Sequence, residues 1–123
     1  MVNLLFVGIG SAFGGIVRYW IGLHVKSGGS FPIATCIVNL VGSLLIGLLS
    51  GWLERSYSQS SLAPMIRSFA VIGFCGGFTT FSTFSNETFL LIQNGKILSA
   101  AVYVLLSVLL CTGAVWAGRM LIR

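Results

Sequence analysis

A bundle of four membrane-spanning helices is the fold class that this 123-residue sequence predicts, on three observations. Hydrophobic residues make up 56% of the chain and charged residues only 7%, with a mean hydropathy of +1.01. An ordinary soluble domain is about 25% charged, and a chain this short has too little interior to hide so much apolar surface from water. The apolar residues fall into four runs, each meeting the roughly 20 residues a helix needs to cross a ~30 Å hydrocarbon core. The runs fill nearly the whole chain, so one domain is expected over 1–123, lying in the lipid bilayer with no soluble module. A soluble globular enzyme and a disordered segment are both excluded.

The first span is expected over 4–23, where Leu4–Leu23 is apolar except for Arg18. It has no basic leading region and is longer than a signal-peptide core, which makes it a retained helix. The second is expected over 31–53, since Phe31–Leu53 carries no charge. The third, over 68–95, holds only Glu87. Its 28 residues would reach about 42 Å at 1.5 Å per residue, well beyond the hydrocarbon. Gly76-Gly77 stands near its middle, ahead of Thr79-Thr80-Phe81-Ser82-Thr83-Phe84-Ser85-Asn86. Double glycine favours a break, which lipid tolerates only where protein or a water-filled cavity covers the unwound backbone. The pattern also permits a kinked, continuous helix whose hydroxyls bond back to the preceding turn. After a minimal turn at Asn94–Lys96, an uncharged fourth span is expected over 97–118.

Net charge is +5, but the seven cations (Arg18, Lys26, Arg55, Arg67, Lys96, Arg119, Arg123) stand singly. A nucleic-acid surface needs a basic patch or stripe; scattered cations at helix ends belong to membrane interfaces. No nucleic-acid partner is expected. Alternating spans place Arg55, Arg67, Arg119 and Arg123 on one side, opposite Arg18, Lys26 and Lys96. So small a bias permits insertion in both orientations and hints at an antiparallel dimer. Cys36, Cys75 and Cys111 lie in apolar runs without metal or disulfide spacing and read as small hydrophobes. Gly10/Gly14, Gly47/Gly51 and Gly73/Gly77 are GxxxG pairs, which let helix backbones approach closely.

Polar groups inside the spans are expensive and need a partner or a cavity. Thr35, Asn39 and Ser43 recur at four-residue spacing on the second span, as do Ser99, Tyr103, Ser107 and Cys111 on the fourth. Such stripes serve either as interhelical glue, worth about 0.6 kcal/mol per bond on average, or as the lining of a path. A break in the third span would free carbonyl oxygens of the kind that coordinate small cations. Phe81 and Phe84 share a face, either as core packing or with their positive ring edges turned to an anion path. Arg18 and Glu87 are either interfacial or functional within the membrane. No metal-ligand cluster, nucleophile–base pair or phosphate loop is present, so no enzyme is expected.

The run GGFTTFSTFSNE at Gly76–Glu87, GxxxRYW at Gly14–Trp20 and Val-Asn-Leu at Val38–Leu40 closely resembles the small bacterial fluoride channel family (Fluc, also called CrcB). The likeness covers essentially the whole chain. It implies a fluoride-selective passive channel that exports fluoride across the bacterial inner membrane. It further implies an antiparallel, dual-topology homodimer with two pores, and a structural sodium ion held by the backbone carbonyls of Gly76 and Thr79 from each chain. By the same resemblance, Phe81 and Phe84 are the paired pore phenylalanines, Asn39 is the pore asparagine, and Tyr103 and Ser107 form a polar track. Arg18 and Glu87 take supporting roles. Cys111 departs from the family, whose track usually continues there with a hydroxyl. Two rivals are a small four-helix multidrug exporter and a non-transporting assembly subunit. The exporters share a membrane-embedded glutamate on the first helix, where this chain has Arg18 and no acid.

Overall fold

The computed structural model describes residues 1–25, 31–56 and 60–122, and every regular element among them is helical. Lys26 and Arg123, two of the cations weighed for orientation, lie outside the described residues. Helix α1 is Val2–His24 and α2 is Ile33–Ser56. The third span comes in pieces: α3 (Ala63–Ile66), a π-helical stretch (Arg67–Cys75), α4 (Gly76–Phe78) and α5 (Phe81–Gln93). Helix α6 is Ile97–Ile122. The helices α1, α2 and α6, and Ala63–Gln93 as a unit, are each long and apolar enough to cross a membrane. The chain is a multi-pass membrane protein, and its outward faces carry Leu4, Phe13, Leu105 and Leu109, all exposed.

The third span is broken, but not at the double glycine. Gly76 is helical (φ −63°, ψ −39°) and Gly77 lies within α4. The chain opens at Thr79 (φ −76°, ψ 157°) and Thr80 (φ −146°, ψ 112°). The reason lies in which residues have another task. A Cβ on Gly77 would run into the backbone of Ser11 on α1, 2.8 Å from its Cα, so this glycine serves close packing. The two threonines instead supply the ends of the half-helices. Both the amide and Oγ1 of Thr79 donate to the Cys75 carbonyl at 2.9 Å. Thr80 Oγ1 accepts from Thr83 N at 3.2 Å, the N-cap bond that starts α5. At the far end of α5, Gly95 takes φ +73°. Its amide reaches Ile92 O and that of Lys96 reaches Leu91 O, a glycine-closed helix end that turns the chain into α6.

Two close interfaces hold the bundle. Helix α1 packs on the π-helical stretch and α4, with Gly10, Gly14, Gly73 and Gly77 between them. A Cβ on Gly14 would strike the carbonyl oxygen of Phe74 and lie 2.7 Å from Phe78 N. Helix α2 packs on α6 through Gly47 and Gly118, where a Cβ on Gly118 would lie 2.7 Å from Leu44 O and 2.8 Å from Leu48 N. Such backbone contact replaces the hydrophobic drive that lipid does not provide between helices. Between α5 and α6 a small core of Leu91, Ala100 and Tyr103 is covered by Phe31, Cys36 and Phe84. Only the short α4 separates the π-helical stretch from the break, and wide turns of this kind recur at functional sites.

Candidate functional site

Two side chains from other helices reach the backbone at the break, Asn39 and Arg18. Asn39 of α2 holds Thr80 by both halves of its carboxamide. Thr80 N donates to Oδ1 at 2.8 Å, and Nδ2 donates to Thr80 O at 3.2 Å. Arg18 of α1 donates from Nε to Gly77 O at 3.1 Å, which ties it to the third span. Ser11 Oγ donates to Gly73 O at 3.4 Å.

These bonds decide which carbonyls are left over. In a continuous helix Gly76 O would accept from Thr80 N, but that amide is bound to Asn39. Thr79 O would accept from Thr83 N, which is bound to Thr80 Oγ1. Gly76 and Thr79, the two residues expected to offer carbonyls to a cation, therefore both lose their helical donors. Neutral carbonyl oxygens freed at a helix break are of the kind that can coordinate a small cation.

A second node sits on α5. Glu87 Oε1 accepts from Thr35 Oγ1 at 2.9 Å, and Oε2 accepts from Tyr103 Oη at 2.8 Å. One carboxylate thus joins α2, α5 and α6. Tyr103 is fully buried, with Phe84 5.0 Å away between ring centroids and tilted by 51°. Phe84 in turn lies 5.6 Å from Phe81 at 42°. Ser107, one turn along α6 from Tyr103, sits with its Oγ 3.8 Å from Cys36 Sγ.

The break and the fourth-span polar line meet in a cavity of about 260 Å³. Asn39, Thr79, Thr80, Phe81, Phe84 and Ser107 line it, and Ser43 and Cys111 extend its wall. Tyr103 stands behind Phe84 and communicates with Glu87 rather than with this space. Arg18 and Glu87 open instead on a cavity of about 490 Å³, with Thr35, Thr80 and Thr83. The structure thus brings together Asn39, Phe81, Phe84, Ser107 and Thr79, and sets Arg18, Glu87 and Tyr103 around them. Sequence reasoning missed Thr35 as the partner of Glu87, and Thr80 as the residue at which the span opens. It also missed Gly42, where a Cβ would strike Thr79 Cγ2 and crowd the Phe78 ring. Thr80 had a local signal, a hydroxyl three residues before another in the motif; the other two depend on how helices meet.

Comparison with known proteins accords with these motifs. The family model described as CrcB-like protein, Camphor Resistance (CrcB), matches residues 5–119. A relative from Flavobacterium psychrophilum named Fluoride-specific ion channel FluC is 38% identical, over 100% of this chain and 98% of its own length. One of the same name from Coxiella burnetii is 43% identical over 99% of this chain and 98% of its own. A third, from Methylococcus capsulatus, is 42% identical over 99% of this chain, which spans 53% of that protein's length. With the match running from the first span to the last, as the Gly76–Glu87 run led us to expect, the chain belongs to the CrcB family.

Proposed function

We propose that this chain is a fluoride-selective passive channel of the bacterial inner membrane, a channel and not an enzyme. The observation that carries the reading is the cavity at the break, an uncharged and mostly apolar space into which Asn39 and Ser107 bring hydrogen-bond donors. Fluoride is small and strongly hydrated, so a pore must replace its water with hydrogen-bond donors. Ser107 offers a hydroxyl, and Asn39 keeps a second amide proton beyond the one given to Thr80 O. The edges of Phe81 and Phe84 add positive ring charge. Neutral donors in series bind the ion at several sites without trapping it, as conduction requires. Along α6 the polar line runs on from Ser107 to Tyr103, whose hydroxyl is committed to Glu87 outside this cavity.

The working unit in this reading is an antiparallel, dual-topology homodimer. Phe81 flanks a mid-span break yet is 79% exposed in the single chain. Unwound backbone facing lipid is not tolerated, so a second copy is what this face calls for. Each copy brings one such cavity, which makes two pores per dimer. The near balance of basic residues, four against three, supports insertion in both orientations. The Gly76 and Thr79 carbonyls of the two chains would together hold a structural sodium ion. When bound, it supplies a fixed positive charge at a low-dielectric centre.

The test is efflux from liposomes loaded with fluoride, read by a fluoride electrode, with potassium and valinomycin carrying the counter-current. A parallel set is loaded with chloride. Rapid fluoride release with chloride retained is the expected result. No release from verified dimers would overturn the proposal and revive the exporter or the assembly subunit.

A further inference from the structure

The amide of Thr80 has two acceptors within its conformational reach: Gly76 O if the helix continues, and Asn39 Oδ1 if it opens. We infer that Asn39 is a positioning residue that holds the third span open and so keeps the Gly76 carbonyl available as a cation ligand. The ligand half of this inference rests on the sodium reading above; the backbone half does not.

Gly76 and Gly77 already lie in helix, and α5 begins at Phe81, so only Thr79 and Thr80 separate two helical segments. β-branched threonine is a weak helix former, but its preference is small beside an unpaired peptide group in lipid. A span left to itself would close the gap, because closing it pairs Thr80 N with Gly76 O. Asn39 removes that incentive by pairing both peptide groups of Thr80, at 2.8 and 3.2 Å. Its short side chain reaches because α2 comes unusually near the break. Gly42, three residues further on, lies so close to Thr79 Cγ2 and the Phe78 ring that a Cβ would not fit.

The prediction separates two substitutions that a pore-donor role alone would treat alike. Asn39→Asp keeps an acceptor for Thr80 N but loses the Nδ2 donor. Asn39→Ala loses both. Fluoride flux falls in either case, since both lack the amide proton, so the readout must be something else. Full-length wild type and both variants in lipid bilayers would be compared by the backbone carbon shifts of Thr79 and Thr80. The second readout is the sodium-dependent rise in the thermal unfolding midpoint.

Wild type and Asn39→Asp should show extended shifts at Thr80, and Asn39→Ala helical ones. The apparent sodium affinity should fall about 10–100-fold in Asn39→Ala, the usual cost of losing a residue that orients a ligand. It should not fall in Asn39→Asp. Extended Thr80 shifts in Asn39→Ala would overturn the inference. An unchanged sodium response in that variant, beside a responsive wild type, would overturn its ligand half. A wild type with no sodium response, beside a helical Thr80 in Asn39→Ala, would remove the sodium reading while upholding the backbone role. Asn39→Ser, whose hydroxyl is too short for both groups, repeats the comparison should the alanine variant not assemble.

Discussion

Adding one methyl group at Gly118 should destabilise the bundle, whereas adding it at Gly113 on the same helix should not. The Cβ of Gly118→Ala would lie 2.7 Å from Leu44 O and 2.8 Å from Leu48 N. Contact between such atoms is optimal near 3.5 Å, so α6 must back away from α2 by roughly 0.7 Å. Both obstacles are backbone, and no side chain can swing aside to relieve them. Overpacking of this kind costs about 1–3 kcal/mol, set against a gain of about 1 kcal/mol for alanine over glycine inside a helix. Gly113→Ala meets nothing within 4 Å and keeps the gain alone. The two variants should therefore differ by about 1–3 kcal/mol, the overpacking term itself. Reversible unfolding in mixed micelles by dodecyl sulfate titration, followed by far-ultraviolet circular dichroism, measures the difference. A Gly118→Ala protein as stable as Gly113→Ala would refute the close approach of α2 and α6.

Other residues make equally direct predictions. Tyr103→Phe removes the bond to Glu87 Oε2 and should cost about 1 kcal/mol, between the membrane average and the value for charged acceptors; the same titration measures it. Glu87→Gln leaves one carboxamide oxygen to serve Thr35 and Tyr103 together, so its loss should be comparable and should not add to that of Tyr103→Phe in the double variant. Phe81→Ile combined with Phe84→Ile should abolish most fluoride efflux from liposomes in a dimer that still elutes as wild type. If sodium is the central cation, replacing it with potassium during purification should lower the wild-type unfolding midpoint.

The fold was largely legible because lipid leaves the sequence few options. Uncharged runs of some 20 residues have to be helices, since nothing else pairs its own backbone in hydrocarbon. The GxxxG spacings at Gly10/Gly14 and Gly73/Gly77 marked one real interface. Their partners were not legible, because spacing on one helix says nothing of which helix arrives. Gly47 meets Gly118 rather than another GxxxG pair, and Gly51 makes only ordinary contact, 3.4 Å from Ile122 Cβ. The break falls near the middle of the third span as expected, but just past the double glycine, for a related reason. Double glycine favours a break, yet Gly77 is needed where α4 touches Ser11, so the interruption passed to residues whose side chains could cap both ends.

The site shows the same division between what spacing reveals and what only packing decides. Asn39, Ser107 and the two phenylalanines stood out because polar or paired aromatic residues recur on a face, and all four reach one cavity. Their individual tasks could not be read from that pattern. The Thr35, Asn39 and Ser43 stripe looks uniform in the sequence, but Thr35 serves a carboxylate, Asn39 a peptide group and Ser43 the open cavity. A polar stripe on a membrane helix is therefore not simply glue or simply a path. The cost of burying polar atoms in lipid forces most members to find fixed partners, and those fixed bonds hold the few remaining donors in place. The rigidity that a narrow ion path needs and the donors that line it come from the same side chains, so substitutions along the stripe should change stability and conduction together.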